Sequence, residues 1–289
     1  MQILPQRKQC LEVTGGRRTY QAAYDMPGLS TYIYSRHCDN CMNGGGEVHF
    51  LSSCASGRIT RIMLADIVGS ADVFKKLSCE MRQGLVRSIN SIWQNRVVAN
   101  VSDQFRKFAD HGGFGTASVA TFFAPTRSFV MCNIGNPPPL VYRASSRTWE
   151  ALHGEPETKQ VKDVEEIDGV YSVKEYRHIK TTLEVDDVIV IYGNGFSQSA
   201  FPGGNIVGHT RLIDALRDAP HSCPMARLDH LINLVQSSKR QRGELQPGDV
   251  EADSTIVVCK VTKSPVRMRD NLLAPFRLLK KVRDATSLA

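Results

Sequence analysis

Val73, Leu77, Met81, Leu85, Ile89 and Trp93 recur at four-residue spacing, which sets six apolar side chains along one face of a helix. Val98, Val101, Phe105 and Phe108 define a second helical face behind it. On both sides of this pair the period drops to two. STYIYSR (30–36), EVHFLSS (47–53) and RITRIMLAD (58–66) alternate like strands before the helices, and GTASVATFFA, RSFVMCNI and PLVYR do so after them. The turns between these runs are marked by NGGG, ASG, Pro125 and the triplet Pro137 to Pro139. Strands in two groups with helices clustered between them predict an α+β domain and argue against a βαβ repeat.

Further along, residues 152–168 are acidic and loop-like, and GVYSV, HIKTTLEV and DVIVIY read as strands. TRLIDALRDA and ARLDHLINLVQSS offer two more helical faces, and STIVVCKV (254–261) is the last strand. No internal repeat is visible. Residues 1–28 carry weak signals and read as an irregular lead-in, 29–262 as one domain, and 263–289 as a basic C-terminal tail. A chain of 289 residues with 42% apolar content has enough material for one large core.

The tail holds seven Lys or Arg against Asp270 and Asp284, so it carries five of the seven net positive charges. That distribution argues against a nucleic-acid-binding body; the tail suits an acidic partner or a solvated end. Within it, NLLAPFRLLKKVRDA places Phe276, Leu279 and Val282 on one helical side. No apolar run approaches the roughly 20 residues that cross a bilayer, and the N-terminus lacks the apolar stretch of an export signal, so the expected location is cytoplasmic. Eight scattered cysteines, several inside apolar strands, read as reduced and buried. Cys38 and Cys41 have half the spacing of a zinc site, with His37, His49 and Cys54 as the nearby candidates to complete one; a pair of free thiols is the alternative.

Four acidic or glycine-rich stretches sit at strand ends: GGGE (44–47), LADIVGS (64–70), YGNG (192–195) and EADST (251–255). Carboxylates converging from several strand termini supply the oxygen ligands that Mg²⁺ or Mn²⁺ prefers, although Asp beside Gly is also ordinary turn chemistry. Asn-Gly in particular is the favoured pair of a two-residue hairpin turn.

These segments, in this order, resemble the SpoIIE/RsbU-type branch of the PPM (PP2C-like) serine/threonine phosphatases over some 230 residues. Gly45 to Glu47 resembles the family's GGD, and LADIVGSA resembles GDVSGHG. TASVATFFAPTRSFVMCNIGNPPPLVYR resembles the block TALLAVLDP through AGHPPPLLLR. LEVDDVIVIYGNGFSQSAF resembles LEPGDLLVLYTDGVTEA, GGNIVGHTRL resembles the GxxFGxxRL that follows it, and EADSTIVVCKV resembles DDxTLVVLR.

The resemblance implies an αββα four-layer sandwich of two antiparallel sheets flanked by helices, with a two-metal Mn²⁺ or Mg²⁺ centre between the sheets. It implies a water shared by the metals that attacks a phosphoserine or phosphothreonine in line. The substrate class it implies is a phosphorylated regulatory protein of the STAS, anti-sigma antagonist type. Asp66 matches the bridging aspartate, and the carbonyl of Ile67 is a further expected ligand. Glu47 matches the GGD aspartate with one more methylene. Asn194 stands where the family has the aspartate of TDG, and Ala252 where it has the first aspartate of DD, with Asp253 matching the second. Ser70 and Asn136 replace two histidines of the pattern. A scaffold kept while several polar site residues relax together reads as a weakened phosphatase, or as a pseudophosphatase that binds a phosphoprotein without turnover.

Overall fold

The computed structural model describes residues 6–7, 11–16, 19–36, 45–54, 57–87, 94–156, 177–197, 209–219, 226–233 and 253–264. Two seven-stranded sheets face each other. The first runs in the order β1 (Gln6–Arg7), β3 (Tyr20–Met26), β4 (Leu29–Arg36), β14 (Ser254–Val261), β13 (Val188–Tyr192), β9 (Leu140–Arg143) and β10 (Thr148–Ala151). The second runs β11 (Glu155–Pro156), β12 (Arg177–Thr182), β8 (Ser128–Ile134), β7 (Phe114–Phe123), β6 (Ile59–Val68), β5 (Gly45–Cys54) and β2 (Leu11–Gly15). Every pairing is antiparallel except the two-residue β1 against β3.

Helices cover both outer faces, which completes the four expected layers. On the second sheet lie α1 (Ala71–Arg87) and α2 (Gln94–Ala109). Their Leu77, Met81, Leu85, Val101 and Phe105 pack with Phe50, Met63, Ile67 and Val119 of the strands. On the first sheet lie α3 (Asn194–Ser197), α4 (His209–Arg217) and a helical segment over 226–233 (α5), whose Phe196, Leu212, Leu216, Leu228 and Leu231 meet Val188, Val190, Tyr192 and Val258. The third cluster, between the sheets, includes Leu51, Ile62, Leu64, Phe122, Ile189, Ile191 and Val257.

Central strands are therefore apolar on both faces, and this is why VIVIY and STIVVCKV read as unbroken β-branched runs. Strict alternation also makes parity predictive. On β6, Met63, Ala65 and Ile67 face the helices while Ile62 and Leu64 face the opposite sheet, so Asp66 points into the seam between sheets. Glu47, in phase with Leu51, does the same from β5.

The N-terminal segment differs from the expected irregular lead-in. Residues 11–15 and 20–26 are not irregular: β2 pairs with β5 and β3 pairs with β4, so the sandwich begins before residue 29. Ala22 and Ala23 are buried in β3, and two small side chains beside polar neighbours make a weak apolar signal. The expected helix through Trp93 is described only to Arg87, and the expected strand GVYSV, the Cys38–Cys41 pair, Glu251, Ala252 and tail residues 265–289 lie outside the described residues. Among the described residues no helix is long and apolar enough to cross a membrane.

Candidate active site at one end of the inter-sheet seam

Glu47 and Asp66 are register partners across β5 and β6, and Asp66 is in turn opposite Thr116 on β7. From the other sheet, Asn194 enters at the start of α3 and Asp253 immediately before β14. The structure thus gathers Glu47, Asp66, Asn194 and Asp253, four of the five expected site residues, at one end of the seam. The fifth, Ile67, turns its side chain into the helix-facing core, with its backbone in register with Gly46 and Gly115.

The hairpin-turn reading of Gly193 to Gly195 does not hold. Asn194 opens a single helical turn, in which the Ser197 N–H donates to the Gly193 carbonyl at 3.2 Å. What the glycines provide is room. A β-carbon on Gly193 would lie 2.1 Å from Glu47 Oε1 and 2.4 Å from its Cδ. The side chain of Glu47 reaches across the seam into that space, where its Oε1 accepts the Gly195 N–H at 2.9 Å. Gly46 serves Asp253 in the same way. Its φ of +145° is glycine's, a β-carbon there would meet Asp253 Oδ2 at 2.1 Å, and that oxygen accepts the Glu47 N–H at 3.0 Å.

Electrostatics in this corner are strongly unfavourable to bare carboxylates. Burial, with the neighbouring charge of Asp66 second, pushes Glu47 up to about 8, while the Gly195 N–H and the Thr255 hydroxyl act in the other direction. Asp66 is raised by burial and by Asp253, and hydrogen bonding from Asn194 opposes the shift. Glu47 Oε2 is buried and makes no hydrogen bond of normal geometry.

These features decide how far divalent cations fit. An orphaned, buried carboxylate oxygen beside a second carboxylate is a feature a hard cation relieves, and Mg²⁺ commonly binds through one or two carboxylates while keeping several waters. Glu47 and Asp66 fit one such ion. A larger cage is not assembled: among the described residues no three His, Cys, Asp or Glu side chains stand together as a metal-holding group. Asp253 is turned to the Glu47 backbone, and Asn194 donates Nδ2 to Thr116 Oγ1 at 2.9 Å. Among the described residues, no donor set for a second ion is assembled.

Residues 56–262 match the family profile of Stage II sporulation protein E (SpoIIE). The chain belongs to the SpoIIE family. A comparison with curated protein sequences finds no match. Solved structures similar to this SpoIIE-family chain include the RsbU and RsbW domains of a Mycobacterium tuberculosis protein, at TM-score 0.60 and 16% identity. That match covers 83% of this chain, and this chain spans only 63% of the other. The phosphatase domain of the cell fate determinant SpoIIE from Bacillus subtilis is similar at TM-score 0.55 and 13% identity, over 90% of this chain and 96% of that one. RsbX in complex with magnesium is similar at TM-score 0.56 and 14% identity, over 84% and 100%. By family and fold, then, the SpoIIE-family chain is a PP2C-type phosphatase domain, of a family that depends on Mg²⁺ or Mn²⁺.

Ser70 and Asn136 have clear structural roles in this SpoIIE-family fold. Ser70 caps α1: its Oγ accepts the Val73 N–H at 3.4 Å and its carbonyl the Phe74 N–H at 2.8 Å. Asn136 is buried, with Nδ2 directed to the Leu64 carbonyl and to Ser118 Oγ. Sequence reasoning missed Thr116, Ser118 and Asn133, which link Asn136 to the site. The available signal was parity: Thr116 and Ser118 are polar residues in phase with the core-facing Ala120 and Phe122. His49, two residues along β5 from Glu47, lies against Tyr20 with both ring nitrogens lacking partners, and burial pulls it down to about 4.

Proposed function

We propose that this chain is a metal-dependent protein serine/threonine phosphatase with a weakened metal site, acting on a phosphorylated regulatory protein of the STAS, anti-sigma antagonist type in the cytoplasm. One observation carries this reading: Glu47 and Asp66 are cross-strand partners that face the same seam end as Asn194 and Asp253. In this reading Glu47 and Asp66 hold a Mg²⁺ or Mn²⁺ ion, and such an ion supplies an activated water for in-line attack on phosphorus. The Gly195 N–H orients the Glu47 carboxylate across the seam. Asp253 fastens the strand end that carries Glu47 to the segment entering β14. Neutral Asn194 in place of a carboxylate lowers the negative charge of the site and weakens its hold on a hard cation.

The same asparagine favours a second reading, a pseudophosphatase that binds a phosphoprotein or regulator without turnover. Hydrolysis of a phosphoserine peptide under Mn²⁺ titration separates the two. The phosphatase reading expects Mn²⁺-dependent turnover that Asp66→Ala abolishes and that the combined Asn194→Asp and Ala252→Asp changes increase. A native chain that binds Mn²⁺ and the peptide yet releases no phosphate supports the second reading. The basic tail, in either case, is proposed to contact an acidic partner.

A further inference from the structure

For Asn194 to serve as a metal ligand, its carbonyl oxygen must face the site, and the surrounding hydrogen bonds determine which end of the amide does so. Asn133 Nδ2 donates to the carbonyls of Asn136 at 2.7 Å and Pro137 at 3.1 Å, and Asn133 Oδ1 accepts the Asn136 N–H at 3.0 Å. Backbone carbonyls only accept and backbone N–H groups only donate, so the orientation of Asn133 follows without choice. Its Oδ1 also takes the Ser118 hydroxyl proton, at 3.4 Å. With that proton committed, Ser118 Oγ is an acceptor, and Asn136 Nδ2 donates to it at 3.2 Å and to the Leu64 carbonyl at 3.4 Å. Asn136 is thereby turned so that Oδ1 faces Thr116, whose hydroxyl donates to it. Thr116 Oγ1 has only lone pairs left for Asn194. Asn194 therefore presents Nδ2, 2.9 Å from Thr116 Oγ1 and 3.5 Å from Asn136 Oδ1.

We propose that Asn194 is a fixed hydrogen-bond donor to Thr116, not an oxygen ligand, and that the site consequently takes one divalent cation, on Glu47 and Asp66. This deepens the metal-dependent reading and rests on it. The backbone of β6 and of the 133–137 turn sets the polarity of the chain, and four side chains relay it to the site. An aspartate at 194 reverses the last link, since a carboxylate has no proton for Thr116 and would face Asn136 Oδ1. If the Thr116 proton swings to the new carboxylate, Asn136 Oδ1 is left unpaired beside a negative charge. Positions 194 and 136 are therefore energetically coupled, although neither is a neighbour of the other in sequence.

The test is a calorimetric Mn²⁺ titration of the full chain, native and with Asn194→Asp, Asn136→Ala and both changes, with thermal melts to confirm folding. The expected native stoichiometry is one. Asn194→Asp alone shifts affinity by no more than about threefold, whereas in the Asn136→Ala background it strengthens binding by about tenfold or more, a non-additivity typical of directly contacting residues. Native stoichiometry of zero or two, or an equal gain from Asn194→Asp in both backgrounds, overturns the proposal. A second measurement needs no doubly altered chain to fold. In ¹H–¹⁵N spectra of the native protein, the Asn194 side-chain NH₂ pair, assigned by its loss in Asn194→Asp, exchanges slowly and stays in place on saturation with Mg²⁺. Rapid exchange of that pair in the metal-free protein overturns the donor assignment. The outcomes also separate the two readings: one bound cation without phosphate release removes the phosphatase and leaves this inference intact, and two bound cations with turnover does the reverse.

Discussion

The Glu47 carboxylate occupies the space where Gly193 would carry a β-carbon, 2.1 Å from Oε1, so the two residues are sterically complementary across the seam. The Glu47 carboxylate is accommodated by the missing side chain at position 193, and the Gly195 N–H then holds it in place.

Gly193→Ala should therefore act on the fold and on the site together. Overpacking of this kind costs about 1–3 kcal/mol. The expected results are a lower midpoint in urea denaturation with unchanged slope, and loss of Mn²⁺ binding. A shorter side chain at 47 removes the conflict, so Gly193→Ala combined with Glu47→Asp should regain most of the stability.

The pH dependence of the metal-free protein has a defined sign. Glu47 titrates at about 8 in the fold against an ordinary 4.5, so the native state holds a proton that the unfolded chain has released. Stability from this group is fully present below pH 4.5 and is lost as pH rises through 8. His49, lowered to about 4 from 6.5, acts oppositely and withdraws stability as pH falls below 6.5. Urea melts of metal-free protein from pH 6.5 to 8.5 should show falling stability, and Glu47→Gln should flatten that limb. Because cation binding needs the ionised carboxylate, Mn²⁺ affinity should rise over the same interval and level off above about pH 8.

Asp66→Ala should abolish Mn²⁺-induced stabilisation. A ligand present at 100 times its dissociation constant adds about 2.7 kcal/mol to the native state. Thermal melts with and without Mn²⁺ should differ for the native chain and coincide for the variant. The metal-free variant should be no less stable than the native chain, because a buried carboxylate with raised proton affinity has been removed.

Away from the seam end, Asp187 is a buried charged residue on which stability depends. It is 1% exposed and accepts the Ala144 N–H at 2.9 Å, the Glu184 N–H at 3.0 Å and Arg143 Nη1 at 3.3 Å. Arg143 also reaches the Thr181 hydroxyl and the Thr182 carbonyl on the other sheet, so the group ties the two sheets together. Asp187→Ala should cost about 3–5 kcal/mol in urea denaturation, as expected when one partner of a buried charge network is deleted. Changing Arg143, which is partly exposed, to Met should cost less.

Much of the architecture was legible in local pattern. The four-residue apolar spacing from Val73 to Leu85 matches the buried face of α1, and the unbroken β-branched runs match the central strands β13 and β14. β3 was hidden because its buried residues include Ala22 and Ala23, which bury well and signal weakly. The oxygen-bearing residues at strand ends were equally visible, since Glu47, Asp66, Asn194 and Asp253 each follow or precede an apolar run and border a turn.

The sequence by itself determined the α+β class of the domain, the alternation that aims particular side chains into the seam, and the presence of an amide at 194. All of these depend on a residue and its near neighbours along the chain. Only the tertiary structure decided which end of the Asn194 amide faces the site, and that Gly193 makes room for Glu47. The first is relayed by Thr116 and Asn136, 78 and 58 residues away, and anchored on the Leu64 carbonyl. Hydrogen-bond polarity and steric exclusion act between groups in contact, and no period in the sequence records which distant groups the fold will bring together.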